Sequence, residues 1–468
     1  MATNWTRANL ATDFEDTISA ISTPPGEGGV GIVRLSGERA IEYAATVFAS
    51  SSGRDIRTAR GRVFHGHVLD VAGNRVDEVL VHLMRAPHSY TREDVVEING
   101  HGGPGPLRAI LEETLRAGAR LARPGEFTQR AFLNGRIDLV QAEAVIDQIR
   151  ARTRAGLLAA NAAAGGVLSR KLGELREALR QALARLEAAV DFPEDDLGEL
   201  VDAALLANIR SVHRQMLELL KTADAGRLYR EGAVFAIVGR PNVGKSSLFN
   251  ALLRDTRAIV SAQPGTTRDR LEECVNIAGV PVKLVDTAGL RATEDEVEQI
   301  GVRLAREALQ TANLVLFVLD STAPDEAEDR ALAEELQKLE SPVIVLLNKS
   351  DLAPQVPVPK SARTFAEAHP VSALTGAGMQ ELEEALGRLL LGGINLSADQ
   401  AMLTRVHQKD SLRRAVEALE RLLQDTTLSP EFLALELQLA LRAIGEITGE
   451  TTPDDILEMV FSSFCIGK

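Results

Sequence analysis

The chain has 468 residues and an apolar content of 45%, enough for about three domains with cores of their own. Lys and Arg number 52 against 66 Asp and Glu, a net charge of −14, which argues against general polyanion binding because phosphate affinity comes mainly from basic side chains. Two cysteines exclude a disulfide framework or a CxxC metal site and favour a reducing compartment.

The opening stretch MATNWTRANLATDFEDTISA carries acids and no apolar run of signal-peptide length. The longest apolar runs, Leu314–Leu319 and Val343–Leu347, fall far short of the roughly 20 residues of a membrane span. A soluble, cytoplasmic protein without a membrane span is expected.

Residues 1–135 mix short β-like runs (Gly31–Leu35, Val76–Met84, Val95–Asn99) with a helix-like Leu107–Ala117, and predict an α+β domain. Gly26-Glu27-Gly28-Gly29-Val30-Gly31 fits GxGxxG, but it runs into a β-like stretch instead of opening a helix, so it reads as a tight turn. His101 is either a catalytic base or, with no partner evident, a hydrogen-bonded loop histidine, and the second reading is preferred. Arg116, Arg120, Arg123, Arg130 and Arg136 are either an anion-binding cluster or solvated positions.

Residues 136–230 read as helix. Leu168, Leu172, Leu175, Leu179, Leu183, Leu186 and Val190, three or four apart, share one face of a long helix that Asp191-Phe192-Pro193 stops. A seam of about three heptads is short for a coiled coil and reads as domain core. Residues 231–394 alternate strands with helices. Residues 395–468 return to helix, and the last helix is expected to start with Thr452 as cap, Pro453 in the first position and Asp454 and Asp455 at the positive end of the dipole. The expected fold is multidomain, α/β plus all-α: an N-terminal α+β domain, then one helical domain in two segments with an α/β unit inserted between them.

The inserted unit carries the strongest motif. Gly239-Arg240-Pro241-Asn242-Val243-Gly244-Lys245-Ser246 fits GxxxxGK[ST], with the apolar strand Val234–Val238 before it and a helix-like run from Ser246 and Ser247 after it. Glycines let backbone N–H groups close on phosphate oxygens at a helix N-terminus, Lys245 reaches the β- and γ-phosphates, and Ser246 holds Mg²⁺. Asp286-Thr287-Ala288-Gly289 ends a second strand, placing a carboxylate for Mg²⁺ and an N–H for the γ-phosphate. Asn348-Lys349-Ser350-Asp351 ends a third. An Asp there accepts two N–H bonds from guanine, which adenine does not offer, so ATP would leave a buried carboxylate unpaired. Ser372-Ala373-Leu374 is placed to give a backbone N–H to the guanine oxygen. Four motifs in this order, each at a strand end, point to a GTPase with Mg²⁺.

The glutamine that orients water in Ras-like enzymes is replaced by Leu290. The acid-rich Glu294, Asp295, Glu296 and Glu298 supply either a substitute or a solvated turn. Arg268 is either a cation for the transition state or a surface residue. Asn242 either ligates a monovalent ion beside the phosphates or simply forms the turn after Pro241. Cys465-Ile466-Gly467-Lys468 fits a prenylation box poorly, because Gly467 is not aliphatic and Lys468 is not a usual last residue. Cys465 is then either a buried core thiol or a reactive group delivered to a site.

Together with Asn99-Gly-His-Gly-Gly103, Arg123-Pro-Gly-Glu-Phe-Thr128, Arg130-Ala-Phe-Leu-Asn-Gly-Arg136 and the final Phe464-Cys-Ile-Gly-Lys468, these motifs closely resemble the bacterial MnmE (TrmE) family of tRNA uridine-modification GTPases over essentially the whole chain. The resemblance implies a homodimer and an FAD-dependent partner subunit of the MnmG (GidA) type, the two forming a heterotetramer. Together these install a carboxymethylaminomethyl-type group on C5 of the wobble uridine of certain tRNAs. It implies an N-terminal folate-binding and dimerisation domain that takes a one-carbon unit from 5-formyltetrahydrofolate or a related tetrahydrofolate. It further implies GTP hydrolysis activated when two GTPase domains meet around bound potassium. By motif, Asn242 is then a K⁺ ligand with Ser261, Gln263 and Thr266 in the shielding loop, Thr267 is the switch threonine on Mg²⁺, and Glu298 orients water. Arg34, Glu97, Arg136 and Lys468 match folate contacts, although the family commonly has Lys where Arg136 stands. The tail would carry Cys465 to the folate pocket. A ribosome-assembly or RNA-binding GTPase switch is the alternative; it should carry an RNA module and a basic surface, and neither is legible in the flanks.

Overall fold

The computed structural model describes residues 16–59, 62–191, 202–255, 274–286, 309–323, 325–353, 358–394, 397, 399–425 and 429–468. Three units follow the texture of the sequence.

The first is a seven-stranded sheet of β1 (Ile18–Ile21), β2 (Gly28–Ser36), β3 (Phe48–Ser50), β4 (Val63–Leu69), β5 (Arg75–Met84), β6 (Val95–Gly102) and β7 (Arg120–Leu121), ordered β3-β4-β5-β6-β2-β1-β7. All its pairings are antiparallel except β1 with β7. Period-two alternation sends Val33 and Leu35, Val79 and Val81, and Val96 and Ile98 into a core shared with α1 (Ala40–Val47) and α2 (Pro104–Arg116). The opposite face carries Arg34, Glu97 and His101. Because β2 carries the GxGxxG glycines straight into a strand, that motif opens no helix and the tight-turn reading stands. Short α3 (Glu126–Leu133) follows β7.

The second unit is helical: α4 (Leu139–Arg150), α5 (Arg154–Ala164), α6 (Val167–Asp191), α7 (Ala203–Lys221) and α8 (Ala223–Glu231), rejoined by α12 (Val406–Gln424), α13 (Pro430–Thr448) and α14 (Asp454–Ser462). Leu168, Leu172, Leu175, Leu179 and Leu186 are buried against α7, α12 and α13, so the leucine seam is bundle core. Thr452 does not cap α14. Its hydroxyl donates to the Glu446 carbonyl at 2.6 Å, at the end of the preceding helix, and Pro453 is the cap residue.

Between α8 and α12 lies a six-stranded sheet of β8 (Ala233–Val238), β9 (Cys274–Ile277), β10 (Val280–Asp286), β11 (Leu314–Asp320), β12 (Val343–Asn348) and β13 (Ala368–Pro370), ordered β13-β12-β11-β8-β10-β9. Only β9 runs antiparallel to its neighbour. β8, β11 and β12 are near-continuous apolar runs because helices α9 (Lys245–Asp255), α10 (Ala327–Leu336) and α11 (Met379–Leu391) cover both faces. A doubly wound sheet of this kind binds ligands beyond the carboxyl ends of its strands.

Candidate functional site

Those carboxyl ends are where the motifs converge. Residues 239–244 loop from β8 to α9 with left-handed backbone at Asn242 (φ 63°) and Gly244 (φ 99°). A Cβ at Gly244 would overlap the side-chain amide of Asn348, so glycine is needed there. Lys245 Nζ donates to the carbonyls of Gly239 at 2.9 Å and Arg240 at 2.8 Å, folded over the loop that would hold phosphate. Burial pushes the Lys245 pKa down, and the Asp286 carboxylate at the end of β10 opposes that. Ser246 and Ser247 are exposed on the first turn of α9.

The third and fourth motifs are stitched to this loop. Asn348, 2% exposed, donates through Nδ2 to the Val243 carbonyl at 2.8 Å and accepts at Oδ1 from Ala373 N–H at 3.1 Å. Lys349, itself at φ 63°, donates to Asp320 Oδ2 at 2.5 Å and to the Asn242 carbonyl at 3.0 Å. Asn348 and Lys349 therefore hold the loops together, and Asp351 is the member left to meet a base. It is exposed, and one of its oxygens accepts from the buried Ser372 hydroxyl at 2.6 Å. Of the Ser372-Ala373-Leu374 run expected to give an N–H to the guanine oxygen, the Ala373 N–H is engaged by Asn348. Ser261, Gln263, Thr266, Thr267, Arg268, Thr287, Ala288, Gly289 and Glu298 lie outside the described residues.

Among the described residues no group of three or more His, Cys, Asp or Glu is placed to hold a metal. The exposed oxygens of Ser246 and Asp286 suit a hard cation that takes its remaining ligands from phosphate and water.

A second convergence lies on the polar face of the N-terminal sheet. Arg34 and Glu97 are cross-strand partners in the β2–β6 register, and Arg34 Nη2 sits 2.7 Å from Glu97 Oε1. Arg34 Nη1 also donates to the Gly467 carbonyl at 3.3 Å, and the Ser22 hydroxyl donates to the same oxygen at 3.0 Å. Left-handed Gly467 (φ 92°) seats the tail here: a Cβ would overlap the Ile21 carbonyl. Burial lowers the Lys468 pKa, Arg34 lowers it further, and Glu97 and Cys465 oppose. The Tyr90 ring has two guanidiniums over it, Arg34 at 5.8 Å and Arg136 at 4.8 Å from its centroid. Cys465 is a free, exposed thiol, which removes the buried-core reading.

The chain was compared with known proteins. The model of the MnmE helical domain matches residues 139–465, and that of the GTP-binding protein TrmE N-terminus matches residues 17–136. The tRNA modification GTPase MnmE of Geobacter sulfurreducens is 48% identical over 458 residues, covering 97% of this chain and 99% of that protein. The MnmE proteins of Heliobacterium modesticaldum and Chloroflexus aurantiacus are 47% and 49% identical, each again over 97% of this chain. The chain belongs to the MnmE family of tRNA modification GTPases.

Within that family frame, other expected positions resolve differently. His101 does have a partner: it ends strand β6, and its Nδ1 lies 2.6 Å from Asp77 Oδ1, a bond that raises its pKa. The arginine cluster is largely spent internally. Arg130, 1% exposed, sits 2.6 Å from Asp16 and 3.1 Å from Glu126, Arg120 reaches both acids at 2.5 Å, and Arg116 pairs with Glu113. Burial raises the Glu126 pKa, but bonds from Arg120, Arg123 and Arg130 outweigh it and hold the carboxyl below its usual range. Tyr90, Ser22 and the structural role of Asn348 were not visible in sequence. Tyr90 is 56 positions from Arg34, and nothing local marks it.

Proposed function

We propose that the protein is a potassium-dependent GTPase that, with an FAD-dependent partner subunit, modifies C5 of the wobble uridine of certain tRNAs using a tetrahydrofolate one-carbon unit. The observation that carries this reading is the seating of the tail: the Gly467 carbonyl, held by Arg34 and Ser22, brings the chain's last residues to the Arg34–Glu97 pair. A tetrahydrofolate offers a pterin whose amide and amino edge suits a carboxylate such as Glu97, an aromatic face that suits Tyr90 and Arg136, and carboxylates that suit Lys468. When bound it supplies a one-carbon unit at formyl or methylene oxidation level. The chain's own groups then orient it: Arg34 fixes the Glu97 carboxylate, and Gly467 fixes the reach of Lys468.

On the GTPase side, Lys245 and the loop N–H groups would bind phosphate oxygens and Asp351 would select guanine. Ser246 with Thr267 would hold Mg²⁺. Asn242, exposed on a left-handed turn at the loop's rim, would join Ser261, Gln263 and Thr266 around K⁺, and Glu298 would orient water while Arg268 faces the developing charge. The reading includes a homodimer in the cytoplasm. Among the described residues no helix is long and apolar enough to cross a membrane.

Titrating 5-formyltetrahydrofolate into the purified protein by calorimetry tests this. Saturable binding that weakens at least about tenfold in Arg34→Ala, as expected for a lost charged hydrogen-bond partner, supports it. Absence of binding leaves the modification chemistry without its carbon donor and sinks the reading.

A further inference from the structure

The chain enters and leaves the GTPase unit at one place. The incoming connector is α8, which ends at Arg230 and Glu231, and the outgoing one is the run 401–405 ahead of α12. They touch: Leu403 N–H donates to Thr222 Oγ1 at 3.1 Å, and a Cβ at Gly226 would overlap the Leu403 carbonyl.

The outgoing connector sends an arginine to α4. Arg405 Nη2 lies 2.8 Å from Asp147 Oδ1, and its Nε lies 3.2 Å from Glu143 Oε1. His407 Nε2 and Gln408 Nε2 hold the two Glu143 oxygens at 2.8 Å each. Glu143 is 1% exposed, so a buried carboxylate on α4 is gripped by Arg405 of the outgoing connector and by His407 and Gln408 of the first turn of α12. Arg230, at the end of α8, pairs with the adjacent Glu231. Burial and the nearby Arg405 lower its pKa while Asp147, Glu231 and Glu143 oppose, and its Nε has no hydrogen-bond partner. A buried charge pair does not separate cheaply, so α4 and the outgoing connector are bound to move together.

The adjoining face of α4 carries the tail. Leu139, Ala142 and Ile146 pack against Leu457, Phe461 and Phe464 in and just after α14, and Arg150 Nη2 donates to the Ser463 carbonyl at 2.7 Å. Two residues on, the Cys465 carbonyl accepts from Gly125 N–H at 3.4 Å, and Gly467 is held by Arg34 and Ser22.

We infer that α4 is the relay between the two sites, with Glu143 and Asp147 as positioning residues: they tie the outgoing connector, which packs on the incoming one, to the helix whose adjoining face seats the Cys465 tail. Displacement of the connectors on nucleotide exchange therefore shifts the tail in its pocket. The inference rests on the nucleotide reading of residues 239–246 and is independent of what the tail pocket binds.

The test is the alkylation rate of Cys465 by iodoacetamide in full-length protein carrying Cys274→Ser, saturated with GDP or with a non-hydrolysable GTP analogue. Saturation is checked by fluorescent-nucleotide titration. The two rates should differ by about fivefold or more, the lower end of ordinary allosteric coupling. Glu143→Gln and Asp147→Asn should bring their ratio to one with nucleotide affinity unchanged, although each lowers the melting temperature by leaving a buried partner uncompensated. If Glu143→Gln does not fold, Asp147→Asn, at the more exposed acid, decides alone. Lys409→Ala, which removes an exposed ion pair with Asp224 at the same junction, should keep the wild-type ratio. Equal rates in nucleotide-saturated wild type, or a preserved ratio in the folded acid variants, overturns the relay. A titration showing no nucleotide binding overturns the nucleotide reading and the relay with it.

Discussion

Asn348→Ala isolates the stitch between the phosphate loop and the base-binding loops. The change removes two hydrogen bonds, to the Val243 carbonyl at 2.8 Å and from the Ala373 N–H at 3.1 Å, at a side chain that is 2% exposed. Each such bond contributes about 0.5–1.5 kcal/mol net, and a buried backbone group left unpaired costs about 1–3 kcal/mol. With some relaxation and water entry, about 2–4 kcal/mol is lost from the arrangement that binds nucleotide. That raises the GDP dissociation constant by about 30- to 1,000-fold. Asn348→Asp should be at least as damaging despite its matched shape, because a carboxylate oxygen would then face the Val243 carbonyl. Fluorescent-nucleotide titration with parallel thermal melts reads both variants. Affinities within about threefold of wild type, a shift below about 0.7 kcal/mol, would refute the stitch, and a mild Asn348→Asp would show that only volume matters.

The remaining expectations concern chemistry and acid stability. GTP turnover should rise steeply when KCl replaces NaCl, since Asn242 and its loop are read as a potassium cage; equal steady-state rates in both salts would count against that cage. Glu298→Ala should cut turnover while leaving GTP affinity nearly intact, and lost affinity with unchanged single-turnover chemistry would remove Glu298 from its role. The Glu126 carboxyl, held below its unfolded pKa of 4.5, contributes stability that is present above that value and is lost as pH falls through its lower folded pKa. Glu126→Gln should therefore flatten the acid limb of a stability-against-pH curve from denaturant melts, and an unchanged limb would place the acid sensitivity elsewhere.

The fold was legible wherever one-dimensional periodicity carries it. The leucine spacing of α6 and the apolar runs of β8, β11 and β12 are local signals, and the structure buries them as that periodicity requires. The GTPase loops were legible because glycine spacing and strand ends are local too. The tail pocket was legible only through resemblance. Arg34, Tyr90, Glu97, Arg136 and Lys468 converge across a sheet register and two chain segments, and no local pattern encodes that. Charge misled where sequence cannot show partners. Arg120 and Arg130 look like an anion surface until Asp16, Glu93 and Glu126 are placed around them. His101 looked unpartnered because Asp77 approaches it from the neighbouring strand β5.

Mass analysis of wobble uridine in tRNA from cells lacking this protein tests the central claim most directly. The account predicts that the C5 aminomethyl-type group disappears from a defined set of tRNAs and returns when the intact gene, but not an Arg34→Ala copy, is restored. A wobble-uridine profile identical to that of the parent cells would contradict it.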